Sequence, residues 1–365
     1  MSLERKSILN LSGEALIREL CLAVGPSGLE DAVRDMIRER AQRVCSHASV
    51  DTLGNLICKM SFGDTSASGR TKIMLSAHMD EVGFMIDGIT SDGMLTFGCV
   101  GGIDAAVLAG RKVLVCSDGG VIRGVICSKA IHHKDSSERE APPKADKLYI
   151  DIGADGRERA SELVRIGDLG TFDAEFFSFG KGGRTLKGRA LDDRMGCAAL
   201  LEIMDKLKEA PIERDVDVYF CFTVREEIGY SGASAAALAI SPDLAVVLEA
   251  TAISDVPETP AHRRVADVCG GVVVSVADKS TLYDRATVDL VLSLADEKGI
   301  KAQIKRYVSG GNDAGHIHKT ASGIRVIALS VPTRYLHSPA CVAHIDDYIA
   351  QRDLALEVIK EYKRG

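Results

Sequence analysis

Val216-Asp217-Val218-Tyr219-Phe220-Cys221-Phe222-Thr223-Val224-Arg225-Glu226-Glu227-Ile228-Gly229 runs from a nearly unbroken apolar segment into two adjacent carboxylates and a glycine. The apolar part predicts a buried strand over 216–224. One glutamate at its end would be surface decoration. Two neighbours where a buried strand stops supply the residue types of a metal ligand and a general base. Working outward, His78-Met79-Asp80 follows an apolar strand predicted over 72–77, Asp192-Asp193 precedes a helix predicted from Met195, and Glu249 and His337 follow further strand-like runs. Together these residues are the parts of a two-metal hydrolase: a carboxylate able to bridge, terminal ligands for each ion, and a base outside the coordination sphere.

The surrounding pattern sets the fold class. From Thr185 onward helices predicted over 195–208, 233–239, 284–297 and 344–362 alternate with strands over 216–224, 244–248, 271–276 and 324–329. Such alternation predicts an α/β fold with a mixed central sheet flanked by helices, in which ligands collect where strands end. Two helices precede it, over 14–24 and 29–44, separated by Pro26-Ser27-Gly28 with Ser27 as the expected N-cap. Between Val82 and Phe177 the texture changes to short β runs (84–89, 112–116, 121–127, 147–152) punctuated by glycines, with one helical turn at 161–164 and a charged loop over 132–146. With 365 residues the chain exceeds the usual single core. We expect a discontinuous catalytic domain, 1–82 and 177–365, interrupted by a small β-barrel-like domain over 83–176.

Composition narrows the function classes. A net charge of -7 from 45 basic and 52 acidic residues provides no basic stripe for a phosphate backbone, which excludes nucleic acid as the expected partner. The ten cysteines are dispersed without a CxxC pair and sit mostly in apolar runs, as reduced core residues of a cytoplasmic protein do. Neither a signal-peptide apolar region nor an uncharged stretch of transmembrane length is present, so no membrane association is expected.

Each candidate has an ordinary reading beside the chemical one. His78 alone would be a buried turn residue, but with Asp80 two positions on it reads as a ligating imidazole and the carboxylate that orients it. Asp192-Asp193 is more than one N-cap requires. If Asp192 bridges the metals, the peptide to Asp193 is a place for an unusual backbone, with Asp193 and Arg194 as an ion pair in support. Glu226 and Glu227, as adjacent extended residues, should point to opposite sides, so one ligates and the other acts as base. Glu249 after a buried strand needs a partner, because leaving a polar group unpaired costs ~2–7 kcal/mol. His337 stands in a turn-like Arg334-Tyr335-Leu336-His337-Ser338-Pro339. His47, His132, His133, His262, His316, His318 and His344 are set aside as surface residues. The loop Gly310-Gly311-Asn312-Asp313-Ala314-Gly315 permits close approach to a substrate, with Gly310, Gly311 and Asp313 as the candidate contacts.

In this order and spacing, Ala77-His78-Met79-Asp80-Glu81-Val82-Gly83, Ala190-Leu191-Asp192-Asp193-Arg194-Met195-Gly196, Glu226-Glu227-Ile228-Gly229-Tyr230-Ser231-Gly232-Ala233 and Tyr335-Leu336-His337-Ser338-Pro339 resemble the tetrahedral (TET) aminopeptidases. That family comprises dinuclear glutamyl, leucyl and lysyl aminopeptidases, some of them labelled endoglucanases. The resemblance covers nearly the whole chain. It implies a zinc-peptidase (phosphorylase/hydrolase-like) catalytic domain with an inserted dimerisation domain. It also implies two divalent ions per subunit, zinc or cobalt, with manganese compatible with so many carboxylates. By motif, His78 and Glu249 would hold one ion, Glu227 and His337 the other, Asp192 would bridge them, Glu226 would be the general base, and Asp80 would orient His78. Many members carry Asp-Val-Thr where this chain has Glu249-Ala250-Thr251, a change that keeps the ligand type and bears on metal preference. The resemblance further implies a dodecamer built from dimers, acting on short or unfolded peptides. The rival reading is another dinuclear amidohydrolase, a carboxypeptidase or an N-acyl-amino-acid deacylase. Glycosidase chemistry is discounted, since it needs two carboxylates flanking a sugar and no metal pair.

Overall fold

A computed structural model describes residues 6–45, 47–133, 135–136 and 144–364. Four parallel strands form its centre in the order Val216–Thr223, Thr71–His78, Leu244–Ala252 and Arg325–Thr333. Their apolar runs bury both faces: every residue of Leu244–Ala252 except Ala252 is buried. Helices must therefore cover the sheet on two sides. One layer is Leu191–Glu209, lying across Thr71–His78 and Leu244–Ala252, with Gly13–Leu22 and Ile345–Glu361 beside it; Ser231–Ile240 and Ala314–Ile317 form a second group. Antiparallel Leu56–Phe62 and His47–Val50 extend one edge, and Val272–Val274 and Ala302–Ile304 the other, giving an eight-stranded mixed sheet.

Because the four central strands point the same way, their C-terminal ends open along one edge. Thr223 pairs with His78 there, and Glu249 with Ser330. The residues after Thr223 and after Thr333 begin at the same edge, which brings positions far apart in sequence to one place.

Between Gly83 and Phe172 six strands close into a barrel in the order Gly83–Ile89, Leu95–Val100, Tyr149–Asp151, Gly120–Cys127, Lys112–Ser117 and Leu169–Phe172. Phe84 anchors its separate core, packed edge-on against Phe97 and Phe172 with ring centroids 5.3 and 5.0 Å away. Closure leaves this small sheet without free edges. The chain then forms a three-stranded sheet of Phe177–Phe179, Thr185–Gly188 and Cys341–His344.

Several local expectations are corrected. The helix expected over 29–44 is Asp31–Ala41 with Glu30 at its N-cap, while Ser27 donates a hydrogen bond to Asp80 Oδ2 (2.6 Å) instead of capping. The helix over 14–24 is Gly13–Leu22, the turn at 161–164 grows to Arg157–Leu163, and the strand over 147–152 shrinks to Tyr149–Asp151. Leu95–Val100 and Leu169–Phe172, unanticipated, supply two of the six barrel strands. Of the loop over 132–146, residues 134 and 137–143 lie outside the described residues.

Candidate metal and active site

His78 ends its strand fully buried, with Nε2 3.1 Å from Asp192 Oδ1 and 3.3 Å from Glu249 Oε1. Across the site His337 Nε2 lies 3.5 Å from Asp192 Oδ2 and 3.4 Å from Glu227 Oε2. The two oxygens of Asp192 thus face two separate groups, His78 with Glu249 and His337 with Glu227. In each group the potential ligand atoms lie within 4.8 Å of one another, and the same holds for His78, Glu226 and Glu227. Asp192 reaches this position from a distorted first turn of Leu191–Glu209: Ala190 is left-handed, Asp192 and Asp193 are non-helical, and the peptide between them is cis.

The orientation of the ligands comes from backbone partners. His78 Nδ1 lies 3.1 Å from the carbonyl oxygen of Asp80, and 3.5 Å from its carboxylate. That carboxylate is chiefly occupied elsewhere: Oδ1 accepts from the amide of Glu226 (3.0 Å) and Oδ2 from the amide of Glu227 (3.1 Å) as well as from Ser27. Asp80 therefore shapes the turn that carries both glutamates, a role sequence reasoning missed because its partners are main-chain amides. His337 Nδ1 lies 2.9 Å from the carbonyl of Gly102 in the segment that follows strand Leu95–Val100, so the barrel contributes to the site.

Three expectations change. Glu226 and Glu227 lie in a turn, not on an extended segment, so both carboxylates can face His78. Glu249 does not end its strand, which continues to Ala252 against Arg325–Thr333. Arg194 does not pair with Asp193; its buried guanidinium donates to the carbonyls of Leu20, Ala23, Gly25 and Met79, and approaches Glu81 at 3.4 Å, holding the N-terminal helices against the site. Asp193 Oδ1 accepts from the amide of Gly196 (3.0 Å).

The electrostatics describe a site crowded with like charge. Burial raises Glu226 well above the usual carboxylate range, and neighbouring Glu249, Asp313 and Glu227 push the same way. Burial and the Asp192 charge raise Glu227 and Glu249 to about 8. Against burial, Asp192 and Glu227 raise His337 to about 9, and Glu249, Asp192 and Asp80 raise His78. Asp192 itself is held low by His337 and His78 despite its burial. Oε2 of Glu249 and Oδ2 of Asp193 are buried without a hydrogen-bond partner. Uncompensated charge in such a place is costly, and oxygen and imidazole donors gathered around it are the donor set of borderline divalent ions. The residues present therefore fit a metal centre.

A cavity of about 440 Å³ opens beside these groups, lined by Glu226, Glu227, Tyr230, Glu249, Lys305 and the segment Ser309 to Asn312. Gly310 and Gly311 lie on that wall as expected; Asp313 does not, being fully buried behind it with Oδ2 2.9 Å from the Thr223 hydroxyl. Sequence reasoning also passed over Tyr230, whose ring stacks on His316 at 4.5 Å, and Lys305. The Tyr230 signal was its place three residues after the paired glutamates; Lys305 had none.

Residues 54–354 match the family model described as M42 glutamyl aminopeptidase. A putative aminopeptidase of Acetivibrio thermocellus is 35% identical over 94% of this chain and 97% of its own length. The TET aminopeptidase of a marine sediment Thaumarchaeota archaeon superposes with a TM-score of 0.91 at 32% identity, covering 96% of both chains. The Pyrococcus horikoshii TET1 peptidase, which can assemble into a tetrahedron or a large octahedral shell, gives 0.83 at 33% identity over 95% of this chain and 99% of that one.

Proposed function

Since the chain belongs to the M42 glutamyl aminopeptidase family, and so is a hydrolase acting on peptide bonds, we propose that it is a dinuclear metal aminopeptidase that trims short or unfolded peptides in the cytoplasm. The observation that carries this reading is the double-faced Asp192, one oxygen toward His78 and Glu249 and the other toward His337 and Glu227. Those five residues would hold two divalent ions, with zinc or cobalt favoured and manganese acceptable. When bound, such ions acidify water and polarise a carbonyl.

The chain's own residues account for the rest. Glu226, buried and raised in pKa, takes a proton from the attacking water and returns it to the leaving amine. Asp80 keeps Glu226 at the site by gripping its amide and that of Glu227. The free α-amine of a peptide would bind beside the two-ion site, which selects the N-terminal residue. On the facing wall the ammonium of Lys305 donates to Ser309 O (2.8 Å) and among the described residues has no carboxylate partner. Burial lowers its pKa, while Asp278 and Glu249 support its charge. Its remaining donors favour an acidic first side chain.

Aminoacyl anilides and their N-acetylated counterparts, each assayed after chelation and after addition of zinc, cobalt or manganese, test the proposal. Hydrolysis of the free-amine set alone, abolished by chelator and restored by metal, is expected. Preferential cleavage of the acetylated set would establish the deacylase instead.

A further inference from the structure

Behind the glycine wall of the cleft, two acceptors contend for one proton. The Thr223 hydroxyl lies 2.9 Å from Asp313 Oδ2 and 3.3 Å from the carbonyl oxygen of Ala77, and has a single hydrogen to give. Ala77 precedes His78 on its strand, and Thr223 is the last residue of the strand leading to Glu226. Asp313 is 1% exposed, and its Oδ1 is buried with no hydrogen-bond partner. An ionised Asp313 would leave that oxygen bare and take the Thr223 hydrogen away from Ala77. A protonated Asp313 donates to Thr223 Oγ1, freeing the threonine hydrogen for Ala77 O, so that every proton has an acceptor and the unpaired oxygen is that of a neutral acid. The penalty for an unpaired buried group is far smaller when it is neutral.

We propose that Asp313 is a positioning residue held as the neutral acid, whose relay through Thr223 to Ala77 fastens the Gly310–Asn312 wall of the substrate cleft to the strand ends bearing His78 and Glu226. Burial raises the carboxyl to about 7, which agrees with this state. The wall needs such an anchor. Gly310 has a left-handed φ of 65° with open space where a Cβ would stand, and the hydrogen bonds that hold the segment are mostly local: Lys279 N donates to Gly310 O (2.9 Å), Gly315 N to Asn312 O (3.0 Å) and Ala314 N to Asn312 Oδ1 (2.9 Å). Neutrality also spares the cleft a further negative charge acting on Glu226.

The activity arm rests on the proposed aminopeptidase reading; the spectroscopic arm does not. In metal-loaded enzyme, Asp313→Asn, whose amide donates to Thr223 as the acid does, is expected to keep kcat and KM within about threefold of the parent. Asp313→Ala and Thr223→Val should each raise KM about tenfold while kcat stays within about threefold. In mildly acidic buffer the infrared difference between parent and Asp313→Asn should show the carbonyl stretch of a protonated carboxyl. Absence of that band, failure of Asn to match the parent, or a loss in kcat at unchanged KM for Thr223→Val would each overturn the proposal. Should no aminoacyl anilide be cleaved by the parent, the function proposal fails, and the infrared band still decides the state of Asp313.

Discussion

Glu226 and Glu227 are neighbours with different work, and the difference comes from what holds them. Glu227 Oε2 lies near His337, whereas Glu226 is placed through its amide on Asp80 and has His78 and Glu227 as its facing groups. Replacing Glu226 with Gln keeps the shape and the amide bond, so bound metal measured by elemental analysis should be unchanged while kcat falls at least about a hundredfold, the scale of general acid–base catalysis. Asp192→Ala removes the carboxylate shared by both groups and should leave neither ion tightly bound in the same measurement. At Lys305, a charge-assisted hydrogen bond worth about 1.5–3 kcal/mol corresponds to roughly a 10- to 150-fold effect. Lys305→Met should therefore cut kcat/KM by that much for glutamyl anilide and by less than about threefold for leucyl anilide. His78 and the Glu226-Glu227 pair were legible because an imidazole or a doubled carboxylate where an apolar strand stops is unusual enough to need a reason. The tasks of Asp80 and Asp313 were not, since each depends on a partner distant in sequence, the amides of Glu226 and Glu227 in one case and the Thr223 hydroxyl in the other.

At the level of elements, periodicity identified what is buried on both sides and misjudged what is half exposed. Val216–Thr223, Leu244–Ala252 and Leu191–Glu209 carry long apolar or helical patterns, and their existence and type follow from them. Leu95–Val100 and Leu169–Phe172 are short, contain Gly98 and Gly170, and expose part of their length, so that only closure of the barrel makes them strands. Gly170 is required there: a Cβ would stand 2.6 Å from the carbonyl oxygen of Leu114 on the adjoining strand. The same closure concentrates the barrel's stability in few side chains. Phe84, fully buried between Phe97 and Phe172, touches both of the other core rings, and Phe84→Ala should cost about 3–5 kcal/mol, read as a lower denaturant midpoint for the unfolding of this unit. The expectation is wrong if the midpoint stays within experimental error of the parent.

For the whole molecule the question is what the barrel is for, since the candidate ligands all lie outside it and the segment after Leu95–Val100 meets them at Gly102, whose carbonyl oxygen lies by His337 Nδ1, and at Gly101, beside Glu227. A closed sheet has no edge to offer a partner strand, so any association must use side chains on its outer face. Val125 and Tyr149 are both exposed there, 45% and 38%, and the antiparallel register that pairs Val125 with Asp151 and Cys127 with Tyr149 puts them on one side of the sheet. Met85 and Ile166 are further apolar residues exposed on this unit. We propose that the barrel's outer face carries a dimer contact. Introducing Glu at both Val125 and Tyr149 places like charges across a contact that repeats about a two-fold axis. The double variant should sediment as a smaller species than the parent, with unchanged circular dichroism, and should still hydrolyse a single aminoacyl anilide, because no residue of the Asp192 centre is touched. An unchanged assembly would move the dimer contact to another surface, and loss of activity together with dissociation would mean that the Gly102 contact to His337 depends on the partner subunit.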